Sequence, residues 1–267
     1  MPYPVRILAI WWIVLAGVAE TDAASFSSGN SFGGGESHFK PEQIASFAKK
    51  VEKTLAGKGA RVAILSRMGR PLSELPPGMH YTHVSFAVYS EITVHDGRKI
   101  PGYAIYNLYQ NTDQPDSSDL VQDFPVDFFS AVEELESGIV IPSAELQKRL
   151  LEVIPSSTYR ALHDPHYSAI ANPYTLGRQN CTEFVLDVLF SAIYQTDDIH
   201  QIKTSERAYF VAQPVDVNPL KLMLGSLFSA EISLSDHSGQ PVTATFETIR
   251  AFLLKYDVGA EALTVLP

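Results

Sequence analysis

The 267-residue sequence holds a single cysteine, Cys181. One thiol excludes an internal disulfide, so Cys181 is a buried inert side chain, half of an intermolecular bridge, or a reactive thiolate. Basic clusters are also lacking. Twenty Lys and Arg stand against 30 Asp and Glu, a formal net charge of −10. That excludes the basic stripe of a nucleic-acid binder and weighs against attraction to anionic lipid headgroups. There is no GxGxxG and no GxxxxGK[ST] motif to cradle phosphates. Metal-ligand spacing is poor as well. His163 and His166 are interrupted by Pro165 and do not fit two ligands on one helix face. No cofactor is expected. After residue 23 no run approaches the 18 apolar residues of a membrane span.

What is present begins with an export pattern. Arg6 precedes an apolar run over 7–18 (ILAIWWIVLAGV), and small residues follow, with cleavage sites after Ala19 or Ala23. The run is short and ends at Glu20 and Asp22. It predicts a signal peptide over 1–23 and a periplasmic or secreted protein without stable membrane insertion; an uncleaved anchor is the alternative. Residues 24–40 are Ser/Gly-rich at first and read as a flexible leader. Residues 41–257 form a single domain, and 258–267 a tail. Hydrophobic residues make up 45% and charged residues 19%, enough for a sizeable core.

Residues 41–56 place Ile44, Phe47, Ala48, Val51 and Leu55 at helical spacing. Residues 60–65 (ARVAIL) read as a strand. In YTHVSFAVYS, Val84, Phe86 and Val88 alternate with His83, Ser85 and Ala87, a strand with one apolar and one more polar face. HDG at 95–97 predicts a turn into an aromatic-rich antiparallel strand over 102–110. A short helix is expected over 125–135, a strand over 138–142 and a helix over 143–154 capped by Ser143. Residues 158–179 are long and irregular, as functional loops often are. A helix over 181–195 follows, then helices near 204–212, 217–229 and 247–256, with a strand around 231–236. The pattern predicts an α+β fold: a small antiparallel sheet packed on helices, with a C-terminal helical extension.

The sharpest local signal is Asn180-Cys181-Thr182-Glu183 ahead of an apolar helix. Asn180 suits an N-cap, and Glu183 completes a capping-box spacing. Cys181 then opens the helix, where unpaired N–H groups and the helix dipole favour a thiolate and could hold an oxyanion. A thiol filling a small buried site is the plainer reading. A thiolate nucleophile needs a base. Of eight histidines, His83 starts a strand on its more polar face, where a neighbouring strand could orient it.

The segments ARVAILSRMG, YTHVSFAVY, AIYNLYQN, the IPS-x-x-LQ-x-x-LL run at 141–151, LHDPHYSAIANPY and the Gln-Asn pair before the 181–195 helix resemble the DUF2145 family of exported bacterial proteins, over about residues 42–256. A more distant resemblance runs to the circularly permuted, NlpC-type papain-like superfamily, whose order is His, polar residue, then an Asn-Cys pair opening a helix. That resemblance implies a permuted papain-like core and a cysteine hydrolase or acyltransferase acting on an amide or ester. Cys181 would be the nucleophile, His83 the base, and Asn107 (or Tyr106 beside it) the orienting residue. Tyr81, Gln179, Tyr167 and Tyr174 would bind substrate, with Gln179 also near the oxyanion. The implied substrate is a cell-wall peptide or a lipid ester. The alternative is a non-catalytic binding or accessory module on the same scaffold.

Overall fold

The computed structural model describes residues 38–93, 97–215 and 232–267. The expected signal peptide, most of the leader, His95 and Asp96 of the expected turn, and the helix expected over 217–229 lie outside these residues. Among the described residues no helix is long and apolar enough to cross a membrane.

Six antiparallel strands form the central sheet: β1 (Val62–Arg67), β2 (His83–Thr93), β3 (Lys99–Gln110), β4 (Ser118–Asp123), β5 (Ser137–Ile141) and β8 (Glu261–Val265). Their order is β4-β3-β2-β1-β5-β8. Two short strands, β6 (Gln213–Pro214) and β7 (Val242–Thr243), pair separately. The helices are α1 (Pro41–Gly57), α2 (Pro125–Phe128), α3 (Ala144–Val153), α4 (Ser157–Ala161), α5 (Cys181–Tyr194), α6 (Ile199–Tyr209) and α7 (Phe246–Tyr256). The fold is the α+β arrangement expected, with a sheet packed against helices.

Strand parity sorts the core into two layers, because successive side chains leave a strand on opposite faces. Val84, Phe86 and Val88 of β2 join Val62 and Ile64 of β1 beneath Phe184, Val185 and Val188 of α5. Ala87 joins Ala63, Leu65 and Ile105 on the other face, beneath Phe47 and Val51 of α1 and Phe128 of α2. The first six residues of β2 are buried without interruption, so its more polar face is covered as fully as its apolar one. Each large side chain fully buried this way contributes roughly 1.5–3 kcal/mol. Gly138 of β5 lets side chains pack close on the strand: a Cβ there would lie 2.5 Å from Phe246 and 2.7 Å from Tyr81.

Several expected boundaries move. The expected tail supplies β8, paired with β5 from Ser137↔Val265 to Ile141↔Glu261. Val265 is buried in the α1 layer, with Leu263 packed against it. The helix expected over 125–135 closes after one turn. The polar segment 118–123 forms the edge strand β4, whose partner β3 outweighs its weak propensity. The helix expected near 204–212 begins earlier, capped by the Asp198 side chain on the N–H groups of His200 and Gln201. Residues 232–236 form no strand.

Candidate functional site

Two polar centres flank β2. The first lies on the α1/α2 face. His83 stands opposite Arg67 of β1 and stacks on Tyr109 of β3, ring centroids 4.9 Å apart and planes inclined by 15°. Its Nε2 lies 3.1 Å from Asn107 Oδ1. Asn107 Nδ2 donates to Asp123 Oδ1 at 2.9 Å, and Tyr109 OH donates to Asp123 Oδ2 at 2.8 Å. Because Asn107 spends its NH2 on Asp123, its carbonyl oxygen accepts from His83, which assigns the proton to Nε2. Beside this network Arg67 donates to the Phe128 carbonyl at 2.6 Å. Burial, and then the Arg67 charge, hold His83 well below the ordinary histidine range. Burial also pushes Asp123 up to about 7. His83 is therefore a neutral imidazole inside a buried hydrogen-bond network.

The second centre lies on the α5 face. Asn180 caps α5 alone: its Oδ1 accepts from Thr182 N at 3.1 Å and Glu183 N at 2.9 Å. The expected return contact from Glu183 is not made. Glu183 turns inward to Lys203 of α6, which sits 2.8 Å from Glu183 Oε1, 2.6 Å from Asp187 Oδ1 and 3.2 Å from Glu206 Oε2. All four side chains are almost fully buried. Burial pushes Glu183 and Glu206 well above the ordinary carboxylate range, against the pull of Lys203. Burial alone would lower Lys203, but Asp187 first and then the two glutamates leave it raised. These groups tie α5 to α6.

Cys181 is the first residue of α5, as expected, and its sulfur lies 3.7 Å from Thr182 Oγ1. It lines a cleft of about 270 Å3 together with Arg70, Met79, Tyr81, Thr82, Tyr167 and Thr243. Its side chain belongs to the core layer of Val84 and Phe86, whereas His83 contacts Tyr109 and Phe128 on the other face. The structure thus joins His83 to Asn107 on one face of the sheet and places Cys181 in the layer on the other. The cause is parity: Thr82, not His83, shares the cleft with Cys181. No histidine or carboxylate is among the described residues lining the cleft.

Of the expected substrate-binding residues, Tyr81 and Tyr167 line the cleft. Tyr81 also donates to Glu136 at 2.7 Å, and His80 Nε2 lies 2.9 Å from the same oxygen. Gln179 does not line it. Gln179 is buried, accepts from Asp164 N at 2.9 Å and donates to Asp187 at 2.7 Å and the Leu162 carbonyl at 3.0 Å, so its amide is committed to the scaffold. Tyr174 donates to the Phe210 carbonyl and accepts from Ala212 N, on the α6 side. Tyr106 packs edge-on to Tyr159, not on the His83 face. His163 contacts Ser118 at 3.0 Å and His166 contacts Asp164 at 2.7 Å, at separate places. Reasoning from sequence missed Asp123, Lys203 and Arg70. Asp123 was legible only through the β3–β4 register, and Lys203 only as one of two cations on a helix.

The model of a family described as an uncharacterized protein conserved in bacteria, DUF2145, matches residues 54–253. The chain belongs to the DUF2145 family. The match spans β1 through most of α7 and therefore both polar centres of this DUF2145 protein. No curated protein and no solved structure matches it.

Proposed function

We propose that this DUF2145 protein is an exported, non-catalytic binding module of the cell envelope, with its ligand in the cleft over the start of α5. One observation carries this reading: the cleft holds Cys181, while His83 and Asn107 sit across the sheet. A cysteine hydrolase needs its base within hydrogen-bond reach of the nucleophile or one water away. The cleft is mainly apolar, with Arg70 and several threonines at its margin. That chemistry suits a lipid ester better than a polar cell-wall peptide. Export follows from the charged, apolar and small-residue pattern of residues 1–23.

A second reading, a cysteine hydrolase or acyltransferase on a permuted papain-like core, is favoured by the position of Cys181 at the first turn of α5, where the helix dipole supports a thiolate. One experiment separates the two. The protein is incubated with p-nitrophenyl octanoate, and both p-nitrophenolate release and protection of Cys181 from iodoacetamide are followed. A binding module protects the thiol and leaves the ester intact. A stoichiometric p-nitrophenolate burst that disappears in Cys181→Ser supports the enzyme and contradicts the first reading.

A further inference from the structure

A second groove shares no lining residue with the Cys181 cleft. It measures about 520 Å3 and lies where α3, the end of α5, α6 and α7 meet, within the ~300–1,000 Å3 span of small-ligand pockets. Its walls are aromatic. Tyr194, Tyr209 and Tyr256 are 38%, 49% and 47% exposed, an unusual outlay of large rings to solvent. They are also held in order. Phe252 stacks on Phe190 (4.9 Å, 24°), Phe190 on Tyr194 (5.8 Å, 24°) and Tyr194 near-parallel to Tyr209 (6.3 Å, 27°). Tyr256 stands across the end of this ladder at 77° to Tyr209, so the rings form a floor and a wall.

The polar groups of the groove are engaged with the scaffold. Arg149 pairs with Glu145 at 3.0 Å. Asp257 accepts from Ser143 N at 2.7 Å. Beside the groove, the Lys255 ammonium lies 4.7 Å from the Tyr256 ring centroid. The lining thus sets one guanidinium against two carboxylates, both paired or hydrogen-bonded, with the Lys255 ammonium beside it. It offers ring faces, three phenolic hydroxyls, two carboxylates and a guanidinium, which together suit an uncharged ligand with an apolar face and many hydroxyls.

We propose that this groove is a saccharide-binding site that takes pyranose rings of an oligosaccharide on the faces of Tyr194, Tyr209 and Tyr256. The C–H face of a pyranose is apolar and weakly positive and matches the negative face of an aromatic ring. Its hydroxyls then reach Glu145, Arg149 and Asp257 at the groove edge, both donating and accepting. A proline-rich peptide would also pack on tyrosine faces, but it lacks the hydroxyls to engage those edge groups. The ring ladder fixes the platform before the ligand arrives, which lowers the ordering cost of binding.

The test titrates the full chain with cellohexaose, chitohexaose and maltohexaose by calorimetry and saturation-transfer NMR, with a decaproline peptide and choline as competing ligand classes. At least one hexasaccharide is expected to bind at millimolar or lower concentration. Tyr209→Ala and Tyr194→Ala should each weaken it about tenfold, and Tyr209→Phe should keep most of the affinity. Circular dichroism checks that these exposed positions leave the fold intact. Cys181→Ser should bind saccharide unchanged, which keeps this site distinct from the cleft. The proposal is overturned if no hexasaccharide binds at millimolar concentration, if both alanine variants bind as the parent does, or if decaproline or choline uses the same tyrosines more tightly.

Discussion

The two faces of the sheet bury polar groups by different means. On the α1/α2 face, His83, Asn107, Asp123 and Tyr109 form a chain of hydrogen bonds in which burial holds the imidazole neutral and pushes the Asp123 carboxyl up to about 7. On the α5 face, Lys203 gathers Glu183, Asp187 and Glu206 in a dense charged knot. The first arrangement keeps formal charge low, and the second sets one ammonium among three acidic side chains. The contrast also separates chemistry. The imidazole sits on the hydrogen-bonded face, the thiol lines a cleft on the other, and the sheet lies between them.

The charged knot should be the more brittle of the two. Lys203→Met leaves three buried carboxylates without their cation and should cost about 3–5 kcal/mol, read from denaturant midpoints. The His83 ring signals in NMR should stay in place once the variant folds. A loss below about 1 kcal/mol would show that the two faces are held together alike.

The hydrogen-bonded face should lose less. Asn107→Ala orphans the His83 N–H and one Asp123 oxygen and should cost about 1–3 kcal/mol. Asn107→Asp should not rescue it, because a carboxylate cannot donate to Asp123. Asn180→Ala removes the cap of α5 and should cost about 1 kcal/mol. Unlike Asn107→Ala, it should change the reactivity of Cys181.

The pH dependence sharpens the comparison further. Asp123 titrates near 7 in the folded protein and near 4 in the unfolded chain. Between these values the native state holds a proton that the unfolded chain has lost, so this group's contribution falls as pH rises from about 4 to 7. His83 acts oppositely: the unfolded chain takes a proton below about 6.5 that the buried ring refuses, so stability falls on acidification. Asp123→Asn removes the first trend, and its stability should climb more steeply from pH 4 to 7 than the parent's. Parallel curves would contradict the pairing.

Much of this was legible from residues. The helix over 41–56, the strands carrying His83 and Asn107, and Asn180 as the cap before Cys181 follow from periodicity and capping chemistry, and each stands where expected. The contact of His83 with Asn107 was also foreseen. The relation of either to Cys181 was not, because the sequence marks which strand residues are polar but not which layer covers the polar face. Ser85 and Ala87 beside His83 marked the more polar face, and α1 and α2 bury it. Glu183 misled in the same way: its spacing from Asn180 fits a capping box, but a buried lysine twenty residues later outcompeted the backbone for its carboxylate. Strand β8 went unseen because its five residues gain their stability from pairing with β5, a long-range contact that leaves little local trace.

The separation of thiol and imidazole is tested most directly by the rate of Cys181 alkylation with iodoacetamide as a function of pH, in the parent and in His83→Gln. Glutamine can keep the hydrogen bond to Asn107 but cannot carry a proton. With the two groups on opposite faces, both proteins should give the same apparent thiol pKa and the same limiting rate. An upward shift of about one unit in His83→Gln, the loss of a neighbouring imidazolium, would place the two side chains in one site and contradict the account.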